Sequence, residues 1–137
     1  MTPLKGMLIR HEAIRFKPYV DTKGKITIGV GRNLEDVGIS ADEAMMMLDN
    51  DIASARRDAH CFTWFGALDE PRKDVVLSMI FNMGLKKYLT FKGMIAAMQK
   101  RDFDRAASEM LNSLWAAQVG KRAAELAEMM RTGEYGD

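Results

Sequence analysis

The sequence predicts an α+β protein, mostly α, in which a short hairpin-bearing stretch precedes a larger helical part. Three observations carry this expectation. Two strand-forming runs, about 15–20 and 25–30, flank Thr22-Lys23-Gly24, a tight-turn signal. From residue 41 onward, apolar residues recur at helical spacing in one segment after another. The segment edges carry helix starts and stops, among them Ser40 with Glu43 three residues later, and Gly84.

The elements follow in order. Thr2-Pro3 is a cap followed by proline at the first helical position, so helix one spans 3–13, with Leu4, Met7 and Leu8 at helical spacing. Glu12 falls in its last turn, where the helix dipole disfavours an anion. Residues 15–20 and 25–30 form a hairpin, and 32–38 read as polar loop. Gly29 and Gly31 bracket Val30, which suggests backbone passing close to another surface or a ligand. Ser40 and Glu43 make a capping box for a helix of about 41–58, with Ala44, Met47, Leu48, Ile52 and Ala55 on one face. Phe62–Leu68 is short-helical or irregular. Asp69 caps a buried helix of about 70–83 carrying Val75, Val76, Met79, Ile80 and Met83. Helices over 91–99 and 102–117 follow, capped by Thr90 and Asp102. A last helix covers 121–130. The 12 methionines are read mainly as core filling, and Trp115 as core.

A chain of 137 residues suits a single domain with a real core, and 47% hydrophobic with 28% charged residues is ordinary for a globular protein. The apolar runs are far too short to cross a bilayer, and the start of the chain lacks the pattern of a secretory signal. Synthesis in the cytoplasm is therefore expected. With one cysteine, no intrachain disulfide forms. Two histidines and one cysteine supply no zinc-site spacing, so no metal and no cofactor is expected. A net charge of +1 and no contiguous basic stripe argue against nucleic acid.

The stretch with chemical content is Glu12 to Gly31. Asp21 stands nine residues after Glu12, and Thr27 six after Asp21. A helix end followed by a hairpin brings Glu12 and Asp21 toward one opening. Two carboxylates in different environments beside a hydroxyl are what glycosidic-bond hydrolysis requires.

This arrangement resembles the phage-type lysozymes, the muramidases of the T-even phage family. Tyr19, Gly24 and Thr27-Ile28-Gly29-Val30-Gly31 match as well, and the resemblance resumes over Ile39–Ile52 and nearly all of Asp69–Tyr135. The resemblance implies a lysozyme-like fold: a small β-containing lobe of about 13–50, a helical lobe of 1–12 plus about 60–137, a connecting helix of about 41–58, and a cleft between the lobes. It implies cleavage of the β-1,4 bond between N-acetylmuramic acid and N-acetylglucosamine. Glu12 would be the general acid, with Asp21 and Thr27 positioning a water for inversion at the anomeric carbon. Inversion requires carboxyls ~6.5–9.5 Å apart.

By the same resemblance Gly31, Phe81 and Arg122 contribute to substrate binding. Arg122 corresponds to an arginine lying against the acid. Phe81 packs against a sugar ring or belongs to the core. The expected partner is the glycan strand of peptidoglycan, with no nucleic acid, no membrane insertion and a monomeric state. Action on the cell wall follows holin-dependent release. Residues 1–32 carry seven basic and two acidic side chains, and 35–58 carry seven acidic and two basic ones. That polarity would steer an anionic glycan to the first lobe. Three departures stand out: Ala13-Ile14 after the acid, where the family has Gly-Leu; Arg32-Asn33 after the second glycine, with a shortened loop; and Glu109, where an uncharged residue is expected. The alternative is a lysozyme-like module that holds peptidoglycan or a partner without cutting it.

Overall fold

The computed structural model describes residues 1–136 and is α+β and mostly helical. The chain divides into two compact units, Met1–Met47 and a second beginning at Leu48.

The first unit opens with α1 (Pro3–Glu12), started by Thr2, whose hydroxyl accepts from Lys5 N at 3.2 Å, and by proline at the first position. It ends at Ala13. A three-stranded antiparallel sheet follows in the order β1 (Arg15–Val20), β2 (Ile26–Gly29), β3 (Arg32–Asn33). The third strand was not expected from the sequence, which reads there as polar loop. Gly29, Val30 and Gly31 turn the chain so that Arg32 pairs with Ile28 and Asn33 with Thr27. Both glycines have positive φ, 70° and 69°, which suits the turn. β1 meets β2 with a break in register: Tyr19 faces Thr27, but Arg15 faces Gly29. The extra residues bulge out around Pro18, which cannot donate to a ladder.

Only Thr27 is buried in this unit. Polar contacts therefore do much of the holding. Ser40 and Glu43 form the expected capping box at the start of α2 (Ala41–Ala59): Glu43 N donates to Ser40 Oγ at 3.1 Å, and Ser40 N to Glu43 Oε1 at 2.9 Å. Arg32 adds a two-pronged ion pair to the same Glu43, at 2.9 Å for each prong, and donates to Gly38 O at 3.0 Å. The shortened loop is thus tied between β3 and the first turn of α2.

The second unit has the hydrophobic core. It comprises the rest of α2, a 3-10 turn (Phe65–Ala67), α3 (Glu70–Met83), α4 (Leu85–Tyr88), α5 (Lys92–Gln99), α6 (Phe103–Leu111), α7 (Leu114–Val119) and α8 (Lys121–Thr132). Val75, Val76, Met79 and Ile80 are buried as their spacing predicts, with Met94, Met98, Met110, Met129 and Met130 filling around them. Met45, Met46 and Met47 are instead exposed, and of the predicted α2 stripe only Ala55 is buried. The predicted 102–117 helix is two helices. Ser113 has an extended backbone and its hydroxyl accepts from Ala116 N, so it ends one helix and caps the next. Thr90 caps nothing; its hydroxyl donates to Lys87 O, and Phe91 takes the cap position. Asp69 stands at the start of α3, yet its carboxylate receives Arg72 rather than a helix amide. Arg72 lies over the Phe103 ring at 3.9 Å and donates to Met130 O and Arg131 O, binding α3 and α6 to the end of α8. No helix among the described residues is long and apolar enough to cross a membrane.

The Arg32 guanidinium, with the Ser40 amide, holds the Glu43 carboxyl down at about 2, against an ordinary 4.5. A depressed carboxylate contributes stability above its unfolded value and loses it as pH falls through the folded one. The thermal midpoint of Glu43→Gln should therefore lie below wild type above pH 4.5, and the two should converge near pH 2. A gap unchanged from pH 6 to pH 2 would contradict this clamp.

Candidate active site

Glu12 is the last residue of α1, and its carboxylate lies against the backbone of Gly31. A Cβ on Gly31 would come within 3.0 Å of Glu12 Oε2 and 3.3 Å of Cγ and Cδ. The surface that Gly29-Val30-Gly31 passes is therefore this carboxylate, which any side chain at 31 would displace. Gly31 makes room for the Glu12 carboxylate.

The residue after Glu12 is under strain. Ala13 sits at φ 63°, ψ 167°, while its amide donates to Ile9 O at 2.8 Å. That conformation is open almost exclusively to glycine and costs other residues about 1–3 kcal/mol. It turns the chain from α1 into β1 within two residues.

Asp21 is fixed by its own turn. Its Oδ1 accepts from the amides of Lys23 and Lys25, each at 2.9 Å, while Asp21 N donates to Lys25 O and Gly24 N to Asp21 O. Thr22-Lys23-Gly24 is thus a loop wound on one carboxylate oxygen, with Gly24 at φ 80°. The Lys25 amide, then the Lys23 amide and charge, hold the Asp21 carboxyl below its ordinary value, against a desolvation cost second only to the Lys25 amide in size. Asp21 is ionised throughout the neutral range.

Thr27 is 2% exposed, and its hydroxyl donates to Lys25 O at 2.9 Å. With its one proton on that carbonyl, the oxygen is left to accept.

Glu12 and Asp21 line one open cavity of about 640 Å³, together with Arg15, Tyr19, Lys23 and Asn33. The sequence places the two carboxylates there, but not Arg15. The Arg15 guanidinium lies over the Tyr19 ring at 4.5 Å. Pro18 inside a strand pattern was the available signal, since it marks a bulge.

Phe81 and Arg122 belong to the second unit. Phe81 is 47% exposed and borders an apolar pocket of about 340 Å³ with Leu48, Ile52, Ala55 and Leu77, so it is not a core residue. Arg122 donates to Ser78 Oγ at 3.3 Å. Trp115 is buried, its indole N–H bonded to Asn82 Oδ1 at 3.0 Å. Glu109 lies against Gly93, where any Cβ would meet its carboxylate at 2.5 Å, and pairs with Arg105.

Residues 9–132 match the phage lysozyme family. The chain belongs to the phage lysozyme family. It is similar to probable T4-type lysozyme 1 of Dictyostelium discoideum, 27% identical over 163 residues covering 97% of this chain and 96% of that protein. Probable T4-type lysozyme 2 of the same organism is 26% identical over the same coverage. The pre-baseplate central spike protein Gp5 of Enterobacteria phage T4 is 28% identical over 93% of this chain but only 27% of its own length. Membership makes this chain a glycoside hydrolase of the muramidase type, acting on peptidoglycan.

Strain at Ala13 yields a direct expectation. Ala13→Gly should raise stability by roughly 1 kcal/mol, the relief of strain less the greater freedom of glycine in the unfolded chain. Urea unfolding midpoints measure it; a lower midpoint for the glycine variant would contradict the strain.

Proposed function

We propose that this lysozyme-family chain lyses bacterial cell walls by cleaving the β-1,4 bond between N-acetylmuramic acid and N-acetylglucosamine, with inversion. One observation supports the reading above others: two carboxylates line one cavity in unlike surroundings, Asp21 held ionised by its turn and Glu12 lying free of such donors against Gly31.

In this mechanism Glu12 gives its proton to the glycosidic oxygen as the bond to the anomeric carbon breaks. Water attacks that carbon from the opposite face. Asp21 accepts one proton of the water and Thr27 Oγ1 the other as a hydrogen bond. Asp21, held below the usual carboxylate range, is a weak base. It therefore serves chiefly to orient the water and stabilise positive charge at the anomeric carbon, taking the proton late. Solvent then reprotonates Glu12 and deprotonates Asp21. Phe81 offers an exposed apolar face to a sugar ring, and Arg122 a cation to an anionic group.

Glu12→Gln keeps the shape of the side chain and removes the transferable proton. It should abolish new reducing ends on purified peptidoglycan, by at least about 100-fold, with an unchanged thermal midpoint. Substantial retained cleavage would remove Glu12 as the acid. Wall binding by the wild type without new reducing ends would instead favour a binding module.

A further inference from the structure

In an unbroken strand, residues four apart have Cα atoms roughly 13 Å from each other, too far for close side-chain stacking. Arg15 and Tyr19 are four apart in β1, yet the guanidinium lies 4.5 Å from the ring centre. The register break between them accounts for the difference. Arg15 pairs with Gly29 and Tyr19 with Thr27, so β1 accommodates two more residues than β2 across the same interval. The bulge around Pro18 draws the two side chains together, at the rim of the cavity that Glu12 and Asp21 line.

A guanidinium held over a ring can offer the ring its face and keep its N–H edge for another partner. Arg15 makes no ion pair and donates no side-chain hydrogen bond among the described residues, although two carboxylates line the same cavity. The stack restrains the cation without consuming its donors. A planar fork held this way suits a carboxylate, which it meets with two parallel hydrogen bonds.

We propose that Arg15, stacked on Tyr19, binds a carboxylate of the muramyl residue or of its peptide stem and so orients the glycan in the Glu12–Asp21 cavity. The inference rests on the muramidase reading. Peptidoglycan carries such groups on its peptide stems, and on the lactyl ether once a stem is removed. A neutral glycan has none. Lys23 lines the same cavity and adds positive charge, but as a mobile ammonium without a fork.

The test compares wild type, Arg15→Gln and Arg15→Lys on three substrates: native peptidoglycan, the same material with carboxylates converted to amides, and glycan stripped of peptide stems. On native material Arg15→Gln should raise KM about tenfold, the loss of one charge-assisted contact, with kcat nearly unchanged and Arg15→Lys intermediate. Amidation should raise the wild-type KM similarly and leave Arg15→Gln unmoved. Discrimination on native material assigns a stem carboxylate, since the lactyl carboxyl is there an amide; discrimination on stripped glycan assigns the freed lactyl carboxylate. An unchanged KM for Arg15→Gln, or a deficit equally large on amidated substrate, would overturn the proposal. Absence of reducing ends from wild type on every substrate would fail the muramidase reading instead. Calorimetry of a disaccharide-tetrapeptide and its amidated form against the Glu12→Gln protein, with and without Arg15→Gln, would then decide Arg15 separately.

Discussion

One carboxylate oxygen organises the first unit. Asp21 Oδ1 gathers the amides of Lys23 and Lys25, and this closes the turn between β1 and β2. The closed turn sets the register that pairs Tyr19 with Thr27 and Val20 with Ile26. That register brings Thr27 inside, the only buried side chain of the unit, with its hydroxyl on Lys25 O. Where apolar burial is this sparse, hydrogen bonds to a charged group carry weight that a core would carry elsewhere. The same bonds hold the Asp21 carboxyl below its ordinary value and occupy one of its two oxygens. Structure and chemistry here share one group.

Glu12 is placed by a different device. α1 ends at Glu12, the strained Ala13 turns the chain, and Gly31 leaves the space in which the carboxylate lies. Positive-φ backbone thus occurs on both sides of the Glu12 carboxylate, at Ala13 and at Gly31. Asp21 and Glu12 line one cavity, Asp21 held by the amides of its own turn and Glu12 against the backbone of Gly31.

Much of this was legible in the sequence, for local reasons. Thr2-Pro3, the Ser40–Glu43 box and Gly84 set helix ends through residues adjacent in the chain, and the helical spacing of Val75, Val76, Met79 and Ile80 gave their burial. The offsets of Glu12, Asp21 and Thr27 gave the candidate site. What escaped depended on contacts or conformations without a local signature. The split at Ser113 turns on one hydroxyl choosing to cap rather than continue a helix. Strand β3 exists because Arg32 and Asn33 reach β2 across the Gly29–Gly31 turn, and Arg32 spans eleven residues to Glu43. The Arg15–Tyr19 stack follows from a two-residue slip in register, which a strict period of two cannot express. The strain at Ala13 was visible only as an alanine where the family has glycine.

The central claim is that water held by Asp21 and Thr27 attacks opposite the bond that Glu12 protonates. Proton NMR of the first product formed from peptidoglycan, recorded before mutarotation, tests it most directly. Inversion at a β-linked muramyl carbon predicts that the new reducing end appears first as the α anomer. First appearance as the β anomer would mean retention, and with it a nucleophilic carboxylate in place of the held water.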